Sequence, residues 1–172
     1  IHIEMGRELR NNRTQRQQMG QSIRDNAQKN DDARERLAGF GLKPSRENIQ
    51  KYLLAKEIES RAGRLVCPYT GRALGMNDVL GGRNLIQIEH IIPYSISLDD
   101  NFGNKTLCDA KFNQMKGEKT PYQFFCENQD PHLWGIRKYH NPMDGWEEIS
   151  ERAFRVLPFP KAKRFTSKTD FE

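Results

Sequence analysis

The chain has 172 residues with a mean hydropathy of −0.88, and 30% of its residues are charged. So little apolar material favours a small packed centre with flanking polar helices over one large core. No apolar stretch approaches the roughly 18 residues that a membrane span needs, and no signal peptide opens the chain. We therefore expect a cytoplasmic protein without a membrane partner.

The cysteines Cys67, Cys108 and Cys126 are odd in number and widely spaced, which indicates free thiols in a reducing compartment. Structural zinc needs four ligands that usually come in closely spaced pairs, and the segment from Cys67 to Thr70 offers only half of one pair. We do not expect structural zinc.

The net charge of +5 is unevenly distributed. Residues 1–66 hold 14 Lys and Arg against 9 Asp and Glu, whereas residues 67–126 hold 6 of each and residues 127–172 hold 8 of each. A basic excess favours contact with a polyanion. A solvated helix face explains most of these charges equally well.

The first third of the chain predicts a strand and two helices. Residues 1–5 alternate as a strand does, and residues 7–37 lack the apolar stripe of a packed helix, which indicates an exposed helix or a flexible arm. Ser45 is a suitable N-cap for a second helix, in which Leu54 and Ile58 recur at helical spacing. This second helix should pack.

Further along, local signals predict a turn, two short strands and several helices. The expected elements are a turn over 68–71, a short helix or loop over 76–80, strands over 84–88 and 104–108, helices over 109–117, from 120 and over 146–157, and a loose basic tail over 158–172. Asp109 is the expected cap of the helix that stops at Gly117, and Thr120-Pro121 is a strong helix start.

The segment 85–117 has the residue types that phosphodiester hydrolysis requires. His90 suits a general base near neutral pH, while the Glu89 carboxylate and the Asn113 amide oxygen suit Mg²⁺. Helical spacing groups Cys108, Phe112 and Met115 on one face and Asp109, Asn113 and Lys116 on another. The polar face would be oriented towards the strand that carries Glu89, and Lys116 would be placed to contact a phosphate.

Each of these residues also has an ordinary structural explanation. A histidine beside a glutamate is most often a surface or satisfied core residue, and Asn104 is a common turn residue. Asn113 fits an exposed helix position, and Lys116 fits a solvated charge near a helix C-terminus.

Three stretches nevertheless resemble the HNH nuclease domain of CRISPR type II RNA-guided endonucleases. They are CPYTG, IEHIIPYSISLDDNFGNKTL and DAKFNQMKGEKTP, in the family's order and spacing over residues 65–125. The resemblance implies an α+β, mostly helical fold, in which a ββα-metal core (HNH, or His-Me finger) is surrounded by flanking helices. Two strands and one helix would clasp a Mg²⁺ ion, for which Mn²⁺ can substitute.

The resemblance also implies a role for each matching residue. His90 matches the general base, and Glu89 and Asn113 match the metal ligands. Asn104 matches a residue that braces the loop orienting the histidine, and Lys116 matches a lysine that assists at the phosphate. Many family members have Asp where this chain has Glu89, which changes the coordination distance more than the role.

The flanking segments suggest how the domain is organised. IHIEMGRE resembles the second segment of a RuvC-like nuclease domain, so residues 1–5 would be a remnant of it, with Glu4 matching a metal ligand. Without the other RuvC segments, Glu4 cannot assemble that site. Residues 6–66 would be a linker with helices, 67–126 the HNH core, and 127–172 helices and a linker.

The resemblance implies cleavage of the DNA strand paired to the guide RNA, in the cytoplasm of a prokaryote. The expected partners are that strand in its RNA–DNA heteroduplex, the rest of the effector with its RuvC-like domain, and anti-CRISPR inhibitor proteins. The protein itself is expected to be a monomer. Two alternatives remain open. One is a stand-alone HNH nicking endonuclease, and the other is a non-catalytic nucleic-acid- or protein-binding module of the same fold.

Overall fold

The computed structural model describes residues 13–127 and 142–168. The predicted strand over 1–5 and Glu4 lie outside the described residues. Contacts divide the chain into two compact units, Ile1–Pro44 and Ser45–Glu172.

The described residues form mostly helices with one small antiparallel sheet, which confirms the predicted fold class. The helices are α1 (Arg13–Gly39), α2 (Arg46–Ala62), α3 (Met76–Leu80), α4 (Tyr94–Ser97), α5 (Ala110–Lys116), α6 (Pro121–Glu127), α7 (Pro142–Val156) and α8 (Phe159–Thr166), and the strands are β1 (Ile86–His90) and β2 (Lys105–Asp109). Among the described residues no helix is long and apolar enough to cross a membrane.

The first unit contains α1. Of the two interpretations of residues 7–37, an exposed helix or a flexible arm, the structure agrees with the helix. Its exposed surface carries polar pairs at helical spacing, while Ala33 and Leu37 near its end are completely buried. Gln21 donates to Asp25 at 2.7 Å and Gln28 donates to Asp32 at 2.9 Å. Such pairs each contribute a few tenths of a kcal/mol, roughly 0.2–0.5 in isolated helices.

The predicted helix signals of the second unit are confirmed. The Ser45 side chain accepts the Asn48 amide at the start of α2, and the Asp109 side chain accepts the Lys111 amide at the start of α5. The α5 helix ends at Gly117, which has a positive φ of 56°. Because these caps are read from neighbouring residues, a sequence can place them well.

The two strands pair in a register that determines which side chains share a face. Ile86 lies opposite Asp109, Glu89 opposite Thr106 and His90 opposite Lys105. A loop carrying α4 and a 3₁₀ turn over Phe102–Asn104 joins the strands. The α5 helix follows β2 directly, so strand, loop, strand and helix form one continuous ββα unit.

A cluster of buried aromatic rings supports this ββα unit. The Tyr69 ring centroid lies 5.2 Å from that of Phe112 on α5 and 4.8 Å from that of Phe165 on α8, and Phe112 lies 5.0 Å from Phe124 on α6. Such ring pairs add about 0.5–1.5 kcal/mol beyond the area they bury. The cluster therefore holds α5, and with it the polar face of α5, in a fixed place.

The prediction of a loose basic tail over 158–172 is wrong for its described part. Residues 159–166 form α8, in which Phe165 is completely buried. The basic residues of this segment pair with distant acids: the Lys161 ammonium lies 2.6 Å from Glu57, and the Arg164 guanidinium lies 2.6 Å from Asp99. These acidic partners are far away in sequence, and the residues near the two basic side chains gave no sign of them. For this reason the local charge pattern indicated a solvated segment.

Candidate active site

Strand alternation separates the candidate site residues into two groups. Successive side chains of a strand point to opposite faces. Gln87 and Glu89 on β1 contact residues of α5, whereas His90 contacts Asp100 in the loop between the strands. The structure therefore brings Glu89, Asn113 and Lys116 together and places His90 beside them at the end of β1.

The α5 side of β1 holds a buried polar cluster. The Glu89 carboxylate lies 2.6 Å from the Lys116 ammonium, and the Asn113 amide nitrogen donates to Gln87 at 3.0 Å. Burial raises the pKa of Glu89, and the charge of Lys116 and hydrogen bonds from Lys116 and Asn113 oppose this rise. A carboxylate with a raised pKa and partial burial is typical of a functional site.

Lys116 lies deeper than a solvated helix charge would. Its side chain is completely buried, and its ammonium also donates to the Lys119 carbonyl at 2.6 Å. In this conformation it neutralises Glu89 and does not face solvent. Its predicted role at a phosphate therefore requires the phosphate to approach this buried pair.

The expected apolar face of α5 is correct for Phe112 but wrong for Met115, which is 44% exposed. At about 100° per residue, Lys116 lies roughly 40° from Phe112, while Met115 lies roughly 60° away on the other side. The buried side of α5 is centred between Phe112 and Asn113, so it includes Lys116 and leaves Met115 outside.

The imidazole of His90 belongs to a second polar group that the sequence did not reveal. Its Nε2 lies 2.9 Å from an Asp100 carboxylate oxygen, and the Lys105 ammonium lies 2.6 Å from the same oxygen. Hydrogen bonds from Lys105 and His90 lower the pKa of Asp100 to about 2. Asp100 thus remains ionised at neutral pH and holds one ring nitrogen of His90.

Asn104 connects the two ends of the loop that begins at His90. Its side chain is fully buried, accepts the Ile92 amide at 3.0 Å, and donates to the Ile92 carbonyl at 2.8 Å and the Asp99 carbonyl at 2.9 Å. These contacts involve backbone on both sides of the loop. They are those that a positioning residue for the His90 loop would make.

The side chains on the α5 face fit a hard divalent cation such as Mg²⁺. Glu89 and Asn113 offer carboxylate and amide oxygens, and the buried Thr106 hydroxyl, cross-strand from Glu89, has no hydrogen-bond partner among the described residues. In the described part of the chain no three His, Cys, Asp or Glu side chains form a metal cluster. Magnesium typically takes few protein ligands and keeps several waters, so Glu89 and Asn113 are enough protein ligands for such an ion.

Comparison with known proteins agrees with this ββα arrangement. Residues 67–122 match a family model described as HNH endonuclease. This range contains both strands, the connecting loop and α5. The chain therefore contains an HNH endonuclease domain.

The relatives define which kind of HNH domain it is. The chain is 39% identical over 72 residues to CRISPR-associated endonuclease Cas9 1 of Streptococcus thermophilus, covering 42% of this chain and 6% of that protein. It is 34% identical over 125 residues to CRISPR-associated endonuclease Cas9 of Campylobacter jejuni, covering 73% of this chain and 11% of that protein. The domain is thus of the type found in CRISPR-associated Cas9 endonucleases, and the chain spans about a tenth of their length or less.

Solved structures share the fold. A crystal structure of Streptococcus thermophilus Cas9 in complex with an AGGA PAM superposes with a TM-score of 0.65 at 22% identity, covering 94% of this chain and 15% of that one. The type II-C Cas9 enzyme of Actinomyces naeslundii gives a TM-score of 0.54 at 14% identity, covering 91% of this chain and 15% of that one. These likenesses extend well beyond residues 67–122 and include the flanking helices.

Proposed function

We propose that this domain hydrolyses one strand of DNA within a CRISPR type II effector, with His90 as general base and a single divalent metal ion. The observation that carries the proposal is the juxtaposition of two polar groups at the end of β1. Glu89, Asn113 and Lys116 form one group, and His90 and Asp100 form the other. A phosphodiester lying across the strand end would contact both.

The contact with Asp100 supports Nδ1 of His90 as the nitrogen that acts as the base. An ionised carboxylate at Nε2 favours the tautomer with its proton on that nitrogen. Nδ1 is then the acceptor, and it takes a proton from the attacking water. The water oxygen forms the new bond to phosphorus while the bond to the 3′ oxygen breaks. The departing 3′ oxygen takes a proton from solvent, so the products have 5′-phosphate and 3′-hydroxyl ends.

The remaining residues hold this arrangement in place. Glu89 and Asn113 would hold Mg²⁺, which when present stabilises the negative charge that develops on the phosphate oxygens. Asn104 fixes the loop that follows His90, so it acts as a positioning residue. The charge of Lys116 opposes the rise in the pKa of Glu89 that burial causes, because a nearby positive charge favours the carboxylate.

The substrate belongs to the same proposal. The relatives are CRISPR-associated endonucleases, and a solved neighbour is a complex with a PAM. We propose that the substrate here is the target strand in a guide RNA–DNA heteroduplex, and that the rest of the effector, including a RuvC-like domain, supplies strand selection and docking. The balanced charge of residues 67–126 is compatible with a domain that obtains much of its substrate affinity from its surroundings.

The test is a His90→Ala substitution in the effector that carries this domain, supplied with guide RNA and a target labelled on both strands. We expect the strand paired to the guide to remain intact while the other strand is still cut. Loss of both cuts, or of neither, would contradict the assignment. Binding of the target without Mg²⁺-dependent cleavage by the unchanged protein would support the non-catalytic alternative.

A further inference from the structure

A basic cavity lies in the Ser45–Glu172 unit, outside the candidate active site. It is a cavity of about 370 Å³ whose lining includes four arginines: Arg61, Arg64, Arg152 and Arg155. The end of α2, the turn around Gly71 and the last turns of α7 form its walls. No aspartate or glutamate is among the described residues that line it.

One of these guanidinium groups is held rigidly. Arg152 donates to the Tyr69 carbonyl at 2.7 Å and to the Glu148 carboxylate at 3.0 Å. It lies directly against the backbone of Gly71, where a Cβ atom would approach Arg152 Nε to 2.9 Å. Gly71 also has a φ of +71°, so a larger residue there is disfavoured for two reasons.

The other three arginines have few hydrogen-bond or charge partners among the described residues. Arg61 donates to the Phe154 carbonyl at 3.3 Å, and both Arg61 and Arg155 lie in last helical turns, where a positive charge compensates the helix dipole. Arg64 lies beyond the end of α2. Arg64 and Arg155 are exposed, and neither forms an ion pair with any residue in the described ranges.

Four like charges around one cavity repel each other unless an anion joins them. Glu148 balances only one of them. Guanidinium groups present paired N–H donors that match phosphate oxygens and bind them bidentately. The cavity thus has the charge, the donors and the partial rigidity of a phosphate site.

The position of the cavity distinguishes it from the cleavage site. Arg72, next to Gly71, pairs with Asp109, which lies opposite Ile86 at the start of β1. His90 lies at the other end of β1, four residues or roughly 13 Å further along at about 3.3 Å per residue. The two sites therefore lie towards opposite ends of the small sheet.

We infer that this arginine cavity binds phosphate groups of the DNA backbone at a distance from the cut, and so contributes to holding the substrate. This inference rests on the proposed function, since it takes DNA as the polyanion. It adds a contact that does not involve Glu89, His90 or Asn113. Contacts of this kind position a nucleic acid without reading its sequence.

The test compares DNA binding by the full 172-residue chain and by an Arg64→Gln/Arg155→Gln variant. Binding of a labelled DNA duplex is followed by fluorescence anisotropy with EDTA present, at salt concentrations upward from about 50 mM. A matched variant, Arg83→Gln/Lys163→Gln, removes two exposed positive charges that line no part of the cavity. Thermal melts verify that both variants are folded.

We expect the cavity variant to bind DNA about tenfold more weakly at the lowest salt. The slope of log binding constant against log salt concentration should become less steep by about 1.8, since each of the two lost phosphate contacts removes about 0.9. The matched variant should change both values much less. Equal losses in the two variants, or no loss in the cavity variant, would overturn the inference. So would a cavity-dependent affinity for inorganic pyrophosphate or polyglutamate without one for DNA.

A His90→Ala version of the same chain separates this inference from the proposed function. In this background the Arg64→Gln/Arg155→Gln change should weaken DNA binding by the same factor as it does when His90 is present. If cleavage by the effector does not depend on His90 but the cavity variant still loses affinity, only the catalytic proposal fails. If His90 is required for cleavage and the cavity variant binds normally, only the inference fails.

Discussion

The buried pair of Glu89 and Lys116 determines the electrostatics of the candidate metal site. Both side chains are nearly inaccessible, at 10% and 0% of their free exposure, and their charged atoms lie 2.6 Å apart. Each charge is tolerated in the interior because the other is present. The pair is therefore a sensitive point for both stability and activity.

Replacing Lys116 by Met should destabilise the chain by about 3–5 kcal/mol near neutral pH, because it leaves an uncompensated carboxylate inside the protein. Burial already raises the pKa of Glu89, and loss of the ammonium should raise it further. The Glu89 carboxyl of the folded variant then holds its proton more tightly than the same carboxyl in the unfolded chain does. Its stability deficit should accordingly narrow as the pH falls towards about 4.3, the ordinary value for glutamate. Denaturant unfolding at several pH values measures this.

The double variant Glu89→Gln/Lys116→Met is the control. Because it removes both charges, it should be more stable than the Lys116→Met variant and should lack that variant's pH dependence. If the single variant is as stable as the unchanged chain at pH 7, the ion pair does not have the role assigned here. Cleavage should be impaired in both variants, so activity alone does not distinguish them.

At the scale of elements, the loop between β1 and β2 places His90. The loop is long enough to carry α4 and a 3₁₀ turn, and Asn104 fastens its end to its beginning. Asp100, itself paired with Lys105, then holds the imidazole from within the same segment. The position of His90, the proposed base, is thus a property of one strand–loop–strand element.

Replacing Asn104 by Ala should lower the free energy of unfolding by about 1–3 kcal/mol, because it leaves buried backbone groups of Ile92 without partners. The Ile92 amide should lose protection in hydrogen exchange, and cleavage should slow as His90 loses its fixed position. Ser95→Ala, at an exposed position in the same loop, is the matched control and should change none of these three measurements. An Asn104→Ala variant with unchanged exchange at Ile92 would contradict the bracing role.

At the scale of the whole molecule, segments outside the matched range 67–122 complete the core of the second unit. The Tyr69 ring, within that range, packs against Phe165 on α8, and Lys161 on α8 pairs with Glu57 on α2. The unit Ser45–Glu172 is thus built from residues on both sides of the HNH motif. We expect its stability to depend on α8.

Phe165→Ala should destabilise the chain by about 3–5 kcal/mol, since Phe165 is fully buried and packs against the Tyr69 ring. Phe159→Ala on the same helix is the matched control and should cost far less, because Phe159 is 66% exposed. Circular dichroism and tryptophan fluorescence should report the same midpoint if the unit unfolds cooperatively. Similar effects of the two substitutions would indicate that α8 is peripheral to the core.

Much of the fold could be predicted because its signals are local. The caps Ser45, Asp109 and Gly117 and the start at Thr120-Pro121 are read from neighbouring residues, and the resemblance over 65–125 indicated the ββα core. The candidate site residues could be nominated in the same way. Their roles in catalysis and metal binding stay predictions.

By itself, the sequence determined the short strands, the helix that carries Asn113, and the residue types available for chemistry. Only the tertiary structure decided that Lys116 is buried against Glu89, that Asp100 holds His90, and that α8 is part of the core. The physical reason is that a charged side chain has the same local pattern whether it faces water or a buried partner. The partner can be far away in sequence, as Glu57 is from Lys161, and only folding brings the two together.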